Sequence, residues 1–166
     1  MFRQPFTIAV ALSLAGLVPF LALGAVVLFD PLGSHVAIEV LLSYGAVILS
    51  FLGAVHWGFA LKDVAHPAAG PAPLQPAAER QLLILGTVPT LIGWVALLAM
   101  IYLRAPALAL FLLLLGYFVT IVVETIGRGR GVVAGNYLVL RWSVSIVVLL
   151  ALLVVLFTVL SGMRVG

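Results

Sequence analysis

Five continuous apolar runs, Phe6–Phe29, Val36–Leu61, Leu82–Leu103, Pro106–Val123 and Trp142–Leu160, confine the charges of this chain mainly to the segments between them. Each run is close to the roughly 20 residues that a helix needs to cross a hydrocarbon core of about 30 Å. In lipid every backbone N–H and C=O must be satisfied within the protein, and a helix does so within its own segment. Barrel strands would alternate apolar and polar residues over short stretches, whereas these runs are unbroken Leu, Val, Ala and Ile. The runs predict an all-α, polytopic bundle of five transmembrane helices, a single membrane domain over residues 1–166. A composition of 65% hydrophobic and 8% charged residues excludes a soluble domain.

The cations predict an orientation. With the N-terminus inside and the C-terminus outside, the inner segments hold Arg3, Lys62, Arg80, Arg128, Arg130 and Arg141, and the outer ones Arg104 and Arg164. That excess follows the positive-inside pattern. The net charge of +3 arises mostly from it and suits an anionic lipid surface better than nucleic acid. The 24-residue run after Arg3 exceeds the 7–15 residues of a signal-peptide core, so the first helix is expected to stay in place despite the small residues at Ala22–Gly24. With no Arg/Ser-rich amphipathic leader, the expected location is a bacterial inner membrane.

Two polar interruptions divide the chain. Lys62–Arg80, with Pro67, Pro71, Pro73 and Pro76, reads as a semi-extended cytoplasmic loop whose end, Pro76-Ala-Ala-Glu79, carries a helix-start pattern. Glu124–Arg141, with Gly127, Gly129, Gly131 and Gly135, reads as a flexible basic loop. The short outer connections predict antiparallel hairpins of spans one and two, and of spans three and four. Gly16-Leu-Val-Pro19 and Gly86-Thr-Val-Pro89 hint at an internal repeat, but spans two and four share no comparable pattern, and two Pro-kinked helices account for both.

Tyr44–Ala60, YGAVILSFLGAVHWGFA, is the most structured of the spans. At about 100° per residue, Ser43, Ala46, Ser50, Gly53 and Trp57 cluster around one line extending from Glu39. Beside it runs a ladder of small residues, Ala46, Ser50, Ala54 and Gly58. Small residues let helix backbones approach closely in lipid, so this face is expected to be packing surface. Glu39 falls at the outer end, where His35 one turn earlier or headgroup water can share its charge.

His56 lies about 100° from that stripe, on the face of Leu49, Leu52 and Phe59. An ionisable group inside a span calls for a partner or a water cavity. Glu124, Arg141 and Gln81 fall at the same membrane level, and Gly116, Thr120 and Glu124 share an i, i+4 line that turns the acid inward. The expectation is an inner-leaflet polar cluster of His56, Glu124 and Arg141 roofed by Trp57. It reads either as a site for a quinone, lipid headgroup or proton, or as an interhelical clamp in which Glu124 and Arg141 neutralise each other. Trp57, Trp94 and Trp142 also suit interface anchors. A cavity between the three polar residues would favour the site. Direct Glu124–Arg141 pairing with His56 sealed away would favour the clamp.

Other chemistries fit poorly. His35 and His56 lie on one helix roughly 30 Å apart, too far to ligate one haem within the chain. Lys62, the only lysine, is at a span edge and cannot carry a mid-membrane Schiff base. No cysteine is present to bind a metal or act as nucleophile. No catalytic residue, metal or cofactor is expected. The expected partners are the bilayer, with other membrane subunits or further copies of the chain as candidates, and no nucleic acid.

LSLAGLVPF at Leu12–Phe20, YGAVILSFLGAVHWG at Tyr44–Gly58, GTVPTLIGW at Gly86–Trp94 and NYLVLRW at Asn136–Trp142 resemble a bacterial membrane family of unknown function related to mitochondrial transmembrane protein 69. The resemblance spans most of the chain, and ILSFLGxxHWG is its most specific element. It implies a small five-helix inner-membrane protein with no established activity, and Pro19, His56, Trp57 and Arg141 fall on the family's special positions. The Pro-rich His66–Pro76 segment is longer than the family pattern. Two functions are therefore expected as alternatives: a structural, assembly or accessory subunit of a larger membrane complex, or a quinone-, lipid- or proton-binding transport protein using the inner cluster.

Overall fold

The runs are apolar around nearly their whole circumference, and without water to bond the backbone each one closes its own hydrogen bonds as a helix; the computed structural model contains five: α1 (Gln4–Phe29), α2 (Ser34–Ala65), α3 (Pro76–Ile101), α4 (Pro106–Gly129) and α5 (Gly135–Leu160). The structure describes residues 4–30, 32–65, 76–129 and 135–162, with side chains described for 7–30, 32–58, 60–61, 79–125 and 139–162. Among them there is no strand. All five helices are long and apolar enough to cross a membrane, with spans of 20–25 residues. The chain is a multi-pass helical membrane protein.

The helices run further than the apolar runs that announced them. Backbone hydrogen bonding does not stop where hydropathy does, so α2 continues past Leu61 to Ala65, α4 passes Gly127 to Gly129, and α5 starts at Gly135, before Trp142. Lys62–Ala65 and Pro76–Arg80 are thus helical, and the loop expected over 62–80 narrows accordingly. Glu124 and Arg141, expected to bound a flexible segment, both lie on helices. Arg3, Arg130, Gly131, Arg164 and residues 66–75 lie outside the described residues, as do the side chains of Phe59, Lys62 and Arg128.

The two short connections have local chemical causes. After α1, the Leu32 N–H donates to Asp30 Oδ1 at 3.1 Å, an Asx turn that directs the chain into α2. After α3, Arg104 adopts φ 49°, the left-handed region, and the Ala105 N–H donates to Ala99 O at 3.2 Å. Pro106 then opens α4 at a position where its missing N–H costs nothing.

In the bundle α2 packs against α1, α3 and α4, α4 also packs against α3 and α5, and α5 closes the ring against α1. Half of the α2 span is buried, against 22–33% for the other four, which makes it the central helix. Its three buried sides are distinct. Ala46 and Gly53 face α3, where a Cβ on Gly93 would lie 3.2 Å from the Ala46 carbonyl and a Cβ on Gly53 would run into the Gly86 carbonyl oxygen. The two contacts are seven residues apart on both helices, the period of left-handed helix pairs. Gly45, Leu49 and His56 face α4, with Leu49 against Gly116. Tyr44 faces α1, where its hydroxyl donates to Gly16 O at 3.0 Å.

The small-residue ladder divides on this frame. Ala46 is buried and Ser50 half-buried, with the Ser50 hydroxyl donating to Ala46 O at 2.9 Å, but Ala54 and Gly58 are exposed. A Cβ on Gly58 would meet nothing within 4 Å. Every four-residue step rotates about 40° around the helix, so Gly58 has drifted about 120° from Ala46, whereas a seven-residue step returns to within about 20°. Gly53 therefore carries the α3 contact, and the four-residue ladder expected as one packing face turns outward at Ala54 and Gly58.

An aromatic cluster occupies the centre. Phe20 meets Tyr44 and Tyr117 edge-on, with ring centroids 5.2 and 6.2 Å apart, and the buried Tyr117 hydroxyl donates to Gly45 O at 2.9 Å. These three side chains tie α1 and α4 to α2. The sequence signal was a tyrosine in mid-span on the same helix line as Thr120 and Glu124, a polar tip that lipid would not satisfy.

Candidate functional site

Glu124 and Arg141 meet because each stands five or six residues inside consecutive helices, α4 and α5, whose adjacent ends are only a few residues apart in sequence. Arg141 Nε donates to Glu124 Oε2 at 2.8 Å and its Nη2 to Oε1 at 2.9 Å, a bidentate pair. The side chains are 8% and 1% exposed. Such a pair fixes the rotation of both helices as well as their separation, because the planar guanidinium donates two parallel N–H bonds that the carboxylate accepts only when the two planes are aligned.

His56 is not part of this pair. It is 4% exposed, and its Nδ1 is buried without a hydrogen-bond partner among the described residues. The ring borders a void of about 10 Å³ between α2, α3 and α4, together with Leu85, Pro89, Thr120 and Val123. Glu124, the next residue after Val123, projects about 100° around α4, toward α5. The expected three-membered cluster is thus divided between two sides of α4. Pro89 has no N–H to offer the Leu85 carbonyl, so α3 is short of one hydrogen bond at the level of this void. A volume of about 10 Å³ is at the lower limit for one water molecule and excludes any larger ligand.

The remaining cluster candidates point elsewhere. Trp57 is 46% exposed and forms no roof, since its indole N–H donates across to Leu83 O of α3 at 3.1 Å. The indole lies against Gly86, where any Cβ would strike the ring. Gln81 is exposed on α3. At the other end of α2, His35 Nδ1 and Glu39 Oε1 lie 3.8 Å apart, with side chains 63% and 43% exposed, as expected of an interfacial acid beside a histidine. The Gly16-Leu-Val-Pro19 and Gly86-Thr-Val-Pro89 steps receive one aromatic residue each from α2. Tyr44 bonds at Gly16, and Trp57 packs at Gly86.

His56→Phe is expected to leave the bundle's melting temperature within a few degrees of wild type, or to raise it. The substitution removes an unpaired buried nitrogen and keeps a flat ring, and the modest overpacking by the larger phenyl offsets part of that gain, leaving a net change of less than about 1.5 kcal/mol. Thermal unfolding in mild detergent checks it, and a large loss would mean that the Nδ1 position is bonded to a component outside the described residues.

Comparison with known proteins places this sequence in a family. The family described as "Protein of unknown function (DUF3429)" matches residues 6–157, all but the two ends of the chain. Transmembrane protein 69 of Xenopus tropicalis is 41% identical over 93 residues, covering 54% of this chain and 32% of the frog protein. The chain therefore spans about a third of the length of that relative. No solved structure matches. The relationship expected from the four motifs holds, and the chain belongs to the DUF3429 family of membrane proteins of unknown function.

Proposed function

We propose that this protein is a non-enzymatic accessory or assembly subunit of a larger membrane complex, working as a rigid helical scaffold. The observation that carries this reading is the bidentate Glu124–Arg141 pair, which spends the strongest polar groups at the inner cluster on joining α4 to α5. His56 is walled off beside a void too small for a quinone or headgroup. Nothing about this arrangement prepares a nucleophile or an acid–base couple, whereas fixing helix orientation is what a scaffold requires. The location that accompanies this reading is a bacterial inner membrane, with the N-terminus and the Arg80 and Arg141 helix ends on the cytoplasmic side and Arg104 on the outer side.

Two measurements test it. Extraction in a gentle detergent followed by mass spectrometry of what copurifies is expected to recover a stoichiometric membrane-protein partner. Recovery of the chain alone, with growth unaffected by its deletion under respiratory conditions, would overturn the accessory role. Because the chain contains no cysteine, Arg80→Cys and Arg104→Cys place single thiols at the two sides. A membrane-impermeant thiol reagent added to intact cells is expected to label the second and spare the first.

A further inference from the structure

We infer that a groove between α1, α2 and α5 is a binding site for one phospholipid, with an acyl chain along the groove and the glycerol-ester or phosphate oxygens at Arg141. The groove encloses about 340 Å³ and is separate from the His56 void. Its position relative to the membrane gives it a direction. Ser13, Val55 and Arg141 line the end nearest the edge at which α1 and α5 enter the membrane and α2 leaves it. Phe20 and Val148 line the other end, about 10 Å deeper by helical rise. A polar donor at the membrane edge and an apolar trench running inward from it match the layout of a phospholipid.

Arg141 supplies the polar recognition. A guanidinium carries five N–H donors, and Glu124 accepts two. Among the described residues no hydrogen bond takes the other three, and Arg141 is one of the groove's walls. Donors that face hydrocarbon need an acceptor, and at this depth the ester and phosphate oxygens of the bilayer are the acceptors at hand. The deep end has only apolar walls, Phe20 and Val148 among them, so nothing there competes for a polar head. A volume of about 340 Å³ suits one acyl chain and is far below that of a helix from a second protein. This site does not depend on the scaffold reading. A lipid held here would wedge α1 against the clamp whether or not a protein partner exists.

The test uses the full chain reconstituted in nanodiscs of phosphatidylethanolamine and phosphatidylglycerol and released into native mass spectrometry. Under activation that strips the lipid annulus, one phospholipid per chain is expected to remain. Val55→Trp fills the groove while leaving both members of the Glu124–Arg141 pair in the chain, and is expected to reduce retention at least tenfold. Leu91→Trp, an exposed position on α3 outside the groove, is expected to leave retention unchanged. Ser13→Phe blocks the groove from α1 and decides the matter if Val55→Trp does not fold. Equal retention in the blocked variants and wild type, no retained lipid in wild type, or a retained quinone or second chain in place of phospholipid would each overturn the assignment. A protein partner that still copurifies with Val55→Trp would show that lipid binding and the accessory role are separable.

Discussion

Glu124→Gln should cost the bundle about 3–5 kcal/mol, because it leaves the Arg141 guanidinium inside the protein without a counter-charge. The wild-type pair is bidentate, at 2.8 and 2.9 Å, and both side chains are buried. Glutamine keeps the volume and one acceptor oxygen, so the loss reports charge and not a cavity. The double variant Glu124→Leu/Arg141→Met removes both charges and is expected to be far closer to wild type than Glu124→Gln, since apolar residues of similar size often replace a buried ion pair at little cost. Equilibrium unfolding in mixed micelles of the two variants measures the difference. If the double variant is as unstable as the single one, the pair is not acting as a clamp.

Gly53→Ala and Gly58→Ala should act in opposite directions although they lie five residues apart on one helix. A Cβ on Gly53 collides with the Gly86 carbonyl oxygen, a backbone atom that cannot swing aside, so α2 and α3 must separate or rotate. Overpacking of this kind costs typically 1–3 kcal/mol and more where backbone is the obstacle. The displacement would also strain the Trp57 hydrogen bond to Leu83 O, which crosses the same seam. A Cβ on Gly58 meets open space, and replacing a helical glycine by alanine there is expected to gain up to about 1 kcal/mol. The same unfolding assay reads both. Equal effects would show that the seven-residue Ala46/Gly53 contact with Gly93/Gly86 does not govern α2–α3 packing.

Much of the fold was legible because a membrane span is a local property. Length and apolarity of Phe6–Phe29 or Pro106–Val123 suffice to predict a crossing helix, without reference to any other part of the chain. The ends were less legible. Helix α5 begins at Gly135 because a helix persists into polar sequence as long as its backbone bonds can be made, so hydropathy marks the lipid boundary and not the end of the helix. The Glu124–Arg141 contact was within reach from charge and level alone, as two opposite charges in a nonpolar medium have few other partners.

The number of spans, the polar level near one membrane edge, and the placement of His56 on a different face of α2 from Ala46 and Gly53 follow from local properties of the chain. Which polar residues touch is settled by how the helices pack. His56, Thr120, Glu124 and Arg141 fall at similar depth, but contact depends on the rotation of each helix about its axis, and one residue turns a side chain by about 100°. That rotation is set by close packing between helices, at Gly53 against Gly86, Leu49 against Gly116 and Tyr117 against Gly45. With those contacts in place, Glu124 faces α5, His56 faces the α3–α4 void, and Arg141, paired to Glu124, also lines the groove beside α1.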